Sequence, residues 1–271
     1  MPYRYAWFVI AALIAATVLA FWPGYFSVLG AAPLAFHLHG ATASLWMLLM
    51  VAQSWAIHHQ QRALHRSLGL LTFAAVPLFL MGGLAVIQSM ARATVAGADP
   101  FYAIYGARLG SYDTLSTLAF GYLSFMALKE RRQVQLHARY MLATALLLVG
   151  PVMVRITDRY VPGLIIHGPQ DFGLFATNLR VASVFVMGVA AWLYAANPRF
   201  GRPWMIAGGV GVAQAVIFDS LSMTSVWRGM FAAIAGVPTA LLLITGIAAG
   251  VAITWAGWQA GMVAKRRPVA A

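Results

Sequence analysis

Two histidines occupy the same place in two separate parts of the chain. His65 lies in ALHRSLG (residues 63–69) and His137 lies in QLHARYM (135–141), and each precedes a long apolar run. Neutral imidazole is a normal axial ligand of haem iron, and Gly69, one turn after His65, would leave room for the flat macrocycle. A histidine beside basic residues at a helix start can equally bind lipid phosphates. The pattern therefore predicts either haem ligands or lipid contacts.

A second group of candidate ligands is expected on the other side of the membrane from His65 and His137. His37 and His39 form an H-x-H ahead of one run, and Asp113 opens another. In an extended stretch, residues two apart point to the same side, so both imidazoles could bind one metal ion to which Asp113 adds an oxygen. Iron, copper and zinc all accept this ligand set. The alternative is a pair of interfacial histidines with no ligand.

Charged residues inside apolar segments form a third group. Arg155, Asp158 and Arg159 follow i, i+3, i+4 spacing, so they share one helix face and can neutralise each other. Arg180 and Asp219 are expected at a similar depth on two later spans. Ionisable groups inside spans are functional candidates. These residues form either a structural ion-pair layer or an anion or substrate site.

The composition indicates the environment in which these side chains must be positioned. The 271 residues are 62% hydrophobic and 9% charged, with a mean hydropathy of +0.79, whereas soluble domains carry about 25% charged residues. Apolar runs of about 20 residues can cross the hydrocarbon core, and they must be helical because lipid supplies no hydrogen-bond partners. The sequence predicts an all-α, polytopic membrane helix bundle with residues 1–271 as a single transmembrane domain. Since the chain has no cysteine, disulfides and thiol catalysis are excluded. The sequence contains none of the common catalytic motifs, so it does not decide whether the protein is an enzyme.

Basic residues predict the orientation of this bundle. With the N-terminus inside, twelve Lys and Arg residues fall on the inner side and six on the outer side, as the positive-inside rule requires. The inner set includes Lys265, Arg266 and Arg267, so both termini are expected in the cytoplasm. The net charge of +12 then faces anionic lipid, and a nucleic-acid partner is not needed to explain it. The eight predicted spans are 6–22, 40–57, 67–90, 111–128, 138–157, 173–195, 204–222 and 230–257.

An internal repeat relates the two histidines. Shifting the chain by 72 residues aligns HHQQRALH (58–65) with ERRQVQLH (130–137), so that His65 falls on His137. Residues 37–157 are then a possible four-helix core made of two similar hairpins. In such a bundle the third and fifth spans are diagonal, and the diagonal is longer than the contact distance of about 8–10 Å between neighbouring helices. That separation suits a haem between two imidazoles.

Two resemblances follow from these motifs. HGATASLWMLLMVAQSW, LHRSLG and LHARYMLATALLLVGPVMVRI resemble a group of uncharacterised bacterial polytopic membrane proteins with LHRxLG and LHxRxM elements. This resemblance covers about residues 37–157 and implies a multi-pass protein of the bacterial inner membrane. More distantly, LHRSLG is similar to the histidine element that opens a helix in transmembrane b-type cytochromes. That likeness implies haem b held by His65 and His137, with a quinone or redox protein as electron partner.

Two functions of different classes remain open at this point. The first is a haem-binding electron carrier with its histidines at the cytoplasmic ends of two helices. The second is a haem-free transporter, or an assembly or accessory subunit, whose site is the outer Arg/Asp/His group, with a single metal ion or none. In both cases the lipid bilayer is the immediate partner.

Overall fold

The structure is a computed structural model that describes residues 2–263. Lys265, Arg266 and Arg267, which the sequence assigned to the inner side, lie outside the described residues. Within residues 2–263 every regular element is a helix, which confirms the all-α class. Six of these helices are long and apolar enough to cross a membrane, as a multi-pass membrane protein requires.

Ten α-helices follow one another along the described chain. Those long and apolar enough to span the bilayer are α2, α4, α6, α7, α8 and α10. Helix α1 is apolar but has only 16 residues, and α5 has 30 residues with several polar side chains in its first half. The bounds are α1 Ala6–Phe21, α2 Leu34–His58, α3 Arg62–Leu70, α4 Thr72–Ala96, α5 Pro100–Lys129, α6 Val134–Tyr160, α7 Gly173–Ala196, α8 Arg202–Asp219, α9 Ser225–Gly236 and α10 Thr239–Val263.

The eighth predicted span, 230–257, differs from the structure. It is divided into α9 and α10 at Pro238, because the residue before proline adopts extended backbone and Val237 does so with ψ of 134°. The carbonyls freed at this break are satisfied from α4, since Gln88 Nε2 donates to Val237 O at 2.7 Å. Arg92 Nη2 on the same helix donates to Thr239 Oγ1 at 2.9 Å. These hydrogen bonds from α4 therefore stabilise the break between α9 and α10.

The helices of the two predicted hairpins surround a common core. Helix α2 packs on α4, α4 on α5, and α5 on α6, while α1 packs on both α2 and α6 and closes the ring. Helices α4 and α6 lie on opposite sides of this ring, and each packs on the helices between them. Outside the ring, α10 covers α4 and α5, and α7 and α8 cover α6.

Aromatic side chains fill the middle of the four-helix core. Trp46 of α2 is fully buried and donates its Nε1 proton to Thr144 Oγ1 of α6 at 3.0 Å. Phe79 of α4 and Phe120 of α5 stack with ring centroids 3.8 Å apart, and Phe120 also meets the Trp46 ring edge-on. Because the middle is packed, the polar side chains available for chemistry lie towards the two ends of the bundle.

Helix α10 approaches α4 closely through small residues. A Cβ added at Gly246 would lie 2.7 Å from Cα and 2.9 Å from the backbone nitrogen of Met81. Neither atom can move without displacing α4. Small residues allow membrane helices to approach in this way, since association there depends on van der Waals packing.

We expect Gly246→Ala to destabilise the protein by roughly 1–3 kcal/mol, because the added methyl group pushes α10 away from α4. Gly209 of α8 has no neighbouring atom within 4 Å of an added Cβ, so Gly209→Ala is the matched control and should be neutral or slightly stabilising. Thermal unfolding in detergent measures both. Equal midpoints for the two variants would contradict the close α4–α10 contact.

Candidate functional site

The structure holds His65 and His137 in the same way at one end of the bundle, here named the inner end because the basic residues predict that it faces the cytoplasm. His65 Nδ1 lies 3.3 Å from the carbonyl oxygen of Gln53 on α2, and His137 Nδ1 lies 2.8 Å from that of Ala127 on α5. A carbonyl oxygen only accepts, so both rings carry their proton on Nδ1. Each neutral imidazole therefore keeps its lone pair on Nε2. In both hairpins a first-turn histidine is thus clamped to the end of the preceding helix.

The two clamped imidazoles lie near each other and are partly buried. A charge on His65 is close enough to act on His137. Within the described part of the chain, neither Nε2 atom has a hydrogen-bond partner. Burial lowers the pKa of His65 below its usual 6.5, although the bond to the Gln53 carbonyl acts in the opposite direction. His65 is consequently neutral at pH 7, as a metal ligand must be.

The surroundings of these histidines are partly polar and partly apolar. Gln53 Oε1 and His58 Nε2 are buried without a partner among residues 2–263. Gly69 faces this side, since an added Cβ would lie 3.5 Å from Gln53 Nε2. Gly69 therefore packs towards α2, and its role in leaving room for a macrocycle stays a prediction. Leu68 and Met141, one turn beyond each histidine, belong to the apolar core.

Two surface grooves of the described residues lie away from these histidines. The larger, of about 400 Å³, lies between α5 and α10 and is apolar. The smaller, of about 150 Å³, lies between α5, α8 and α9.

At the outer end, the structure separates His37 from His39. Both lie in α2, which begins at Leu34, and successive helical residues turn by about 100°, so side chains two apart point to different sides. The expected extended H-x-H is therefore wrong. His37 Nδ1 is hydrogen-bonded to Tyr25 Oη at 2.9 Å, whereas the His39 ring packs on Phe79 with Nδ1 buried and unpartnered. Within residues 2–263 no three His, Cys, Asp or Glu side chains are close enough to hold a metal ion.

Asp113 lies in the outer half of α5. Its carboxylate makes no hydrogen bond or ion pair within the described chain, yet Arg155 on the neighbouring α6 is close enough to act on it electrostatically. Carboxylates inside membrane spans normally pair directly with a cation or with backbone. Together with the unpartnered Nδ1 of His39, Asp113 gives the outer half two polar groups that the fold itself leaves unused.

The outer charges form two ion-pair groups. Asp158 lies 3.1 Å from Arg155 Nη1 and 3.5 Å from Arg159 Nε, all on α6. The second group joins three helices, because Asp219 of α8 lies 2.9 Å from Arg180 Nη2 of α7 and 2.5 Å from Arg108 Nη2 of α5. Arg108 is not among the predicted site residues, since nothing in the sequence spacing brings it near Asp219.

No family model, curated protein or solved structure matches this chain. The geometry of the two ends of the bundle therefore carries the functional argument.

The two carboxylates differ in burial, and we expect their removal to differ in cost. The Asp158 side chain is 3% exposed and that of Asp219 is 40% exposed. Asp158→Ala should lower the free energy of unfolding by about 2 kcal/mol, because the hydrogen bond from Arg155 to this buried carboxylate is lost. Asp219→Ala should cost no more than about 1 kcal/mol, as exposed ion pairs do. Thermal unfolding of both variants in detergent tests this, and a larger loss for Asp219→Ala would contradict it.

Proposed function

We propose that this membrane protein binds haem b between His65 and His137 and carries electrons to or from a quinone or a redox protein. The observation that carries the proposal is the shared clamp, in which each Nδ1 proton is held by a backbone carbonyl and each Nε2 has no partner among residues 2–263. The bacterial inner membrane is the proposed location, with these histidines on its cytoplasmic side.

The clamp supplies what an axial ligand needs from the protein. A hydrogen bond from Nδ1 to a carbonyl orients the ring and makes Nε2 more basic. Two such rings, one from each hairpin, could face one iron, whereas exposed histidines would rotate freely. A bound haem would supply one-electron chemistry. The apolar residues beneath the histidines would keep water from the side of the haem that faces the core.

The visible spectrum of the purified protein tests the proposal. Protein from haem-replete cells should show sharp reduced-minus-oxidised bands, and His65→Ala and His137→Ala should each abolish them. His59→Ala is the matched control, because His59 lies at the same end of the bundle, is exposed, and is bonded through Nδ1 to the Trp55 carbonyl. A colourless wild-type preparation, or bands that survive both substitutions, would exclude haem binding by this pair.

A second candidate function is favoured by the outer half. Asp113 has no direct partner in the described residues and His39 Nδ1 is buried without one. A carboxylate and an imidazole free of structural bonds can take up and release protons, as in the relays of pumps and transporters. The alternative is therefore a haem-free, proton-coupled transporter, or an accessory subunit of such a system.

Proton movement into proteoliposomes that contain a pH-sensitive dye distinguishes this alternative. If Asp113 carries protons, Asp113→Asn should abolish the dye response. Asp99→Asn is the control on the same helix, because Asp99 is an exposed N-cap that accepts from Phe101 N and asparagine can replace it there. A transporter would also retain its activity in His65→Ala. The absence of any wild-type proton movement, or an unaffected Asp113→Asn, would exclude the relay.

A further inference from the structure

Arg139 is a buried cation near the inner end of α6. It is 3% exposed, and its Nη1 group donates to the backbone oxygen of Gln135 at 2.9 Å and to the side-chain oxygen of the same residue. Its Nε atom is buried and has no partner in the described structure. The guanidinium has five N–H donors, so much of its capacity is unused.

Aromatic rings cover this guanidinium. The rings of Tyr3 and Phe200 face it, with centroids 5.1 and 5.6 Å from its central carbon. Trp204 of α8 donates Nε1–H to Tyr3 Oη at 3.0 Å and so holds the Tyr3 ring in place. Tyr3 has a φ of 60°, an uncommon value for a bulky residue, so the chain bends to bring this ring over Arg139. The rings attract the cation but do not neutralise its charge.

Most charged residues at this end are basic, and the one acidic residue there, Glu130, makes no ion pair with Arg139 in the described structure. All four ion pairs among residues 2–263 involve Asp158 or Asp219 at the outer end. Exposed Arg199 and Arg202 lie beside Phe200 and Trp204 in sequence, and exposed Arg4 follows Tyr3. A buried charge without a counter-charge costs several kcal/mol. The fold therefore concentrates positive charge here, and none of its described carboxylates forms an ion pair with Arg139.

We propose that Arg139 binds the phosphate of an anionic lipid headgroup at the inner surface. The planar guanidinium matches phosphate geometry and can donate two parallel hydrogen bonds. The exposed arginines near Tyr3 and Phe200 would attract the headgroup. The Tyr3 and Phe200 rings would flank the bound headgroup at the membrane interface. Basic pockets between helices on the cytoplasmic side have this chemistry in general. The inference does not depend on haem binding.

Lipid retention tests the site in the intact protein. Delipidated protein is incubated with phosphatidylglycerol or phosphatidylcholine and examined by native mass spectrometry. We expect wild-type protein to retain phosphatidylglycerol selectively, and Arg139→Gln to weaken binding by about tenfold, equivalent to about 1.4 kcal/mol. Arg132→Gln is the control, because Arg132 is an exposed basic residue at the same end of the bundle. Arg139→Lys keeps the charge without the planar fork and should bind at an intermediate level.

A second arm distinguishes a lipid from a soluble phosphate. If the thermal midpoint of delipidated wild-type protein rises with phosphatidylglycerol but not with inorganic phosphate, a lipid headgroup is the ligand. An equal rise with inorganic phosphate alone would overturn the lipid assignment. Equal losses in Arg139→Gln and Arg132→Gln, or no difference between the two lipids for wild-type protein, would overturn the site. The lipid comparison needs no variant, so it remains decisive if Arg139→Gln does not fold.

Discussion

Hydrocarbon offers no hydrogen-bond partner, and this constraint shapes most of the polar contacts in the protein. Trp46 finds Thr144 across the core, and Gln88 caps the carbonyls at the break between α9 and α10. After these contacts, only a few buried polar atoms of the described residues have no hydrogen-bond partner. They lie towards the two ends of the bundle because stacked aromatic rings occupy its middle. The candidate sites are therefore a consequence of how the fold satisfies its own backbone and side chains.

The repeated hairpin gives the inner end its organisation. In each copy a histidine in the first turn after the loop donates to a carbonyl near the end of the preceding helix. The bond closes the hairpin and also fixes the tautomer of the ring, so a structural contact and a ligand-ready nitrogen come from the same geometry. This double role connects the fold to the proposed redox function, since any group bound between the rings would join the two hairpins.

The two ends of the bundle handle charge in opposite ways. Four outer arginines pair with carboxylates of the protein, Arg155 and Arg159 with Asp158 on one helix and Arg108 and Arg180 with Asp219 between three helices. Inner arginines have no carboxylate partner within the described residues, and one of them, Arg139, is buried. Anionic lipid is concentrated on the cytoplasmic leaflet, so in the predicted orientation the inner end would obtain its counter-charges from the membrane. The same asymmetry underlies the predicted orientation and the proposed lipid site.

The sequence by itself determined the class of the protein, and it predicts the depth of its polar residues. Long apolar runs require helices in lipid, and the 72-residue repeat placed His65 and His137 at equivalent positions because hairpins of equal length place equivalent residues at one depth. Tertiary structure alone decided what each side chain meets. Helix α2 begins early enough to separate His37 from His39, Gly69 turns towards Gln53, and Arg108 reaches Asp219 from another helix. Hydropathy specifies which residues are in the membrane, but the rotation of each helix about its axis and the choice of its neighbours depend on packing between distant segments.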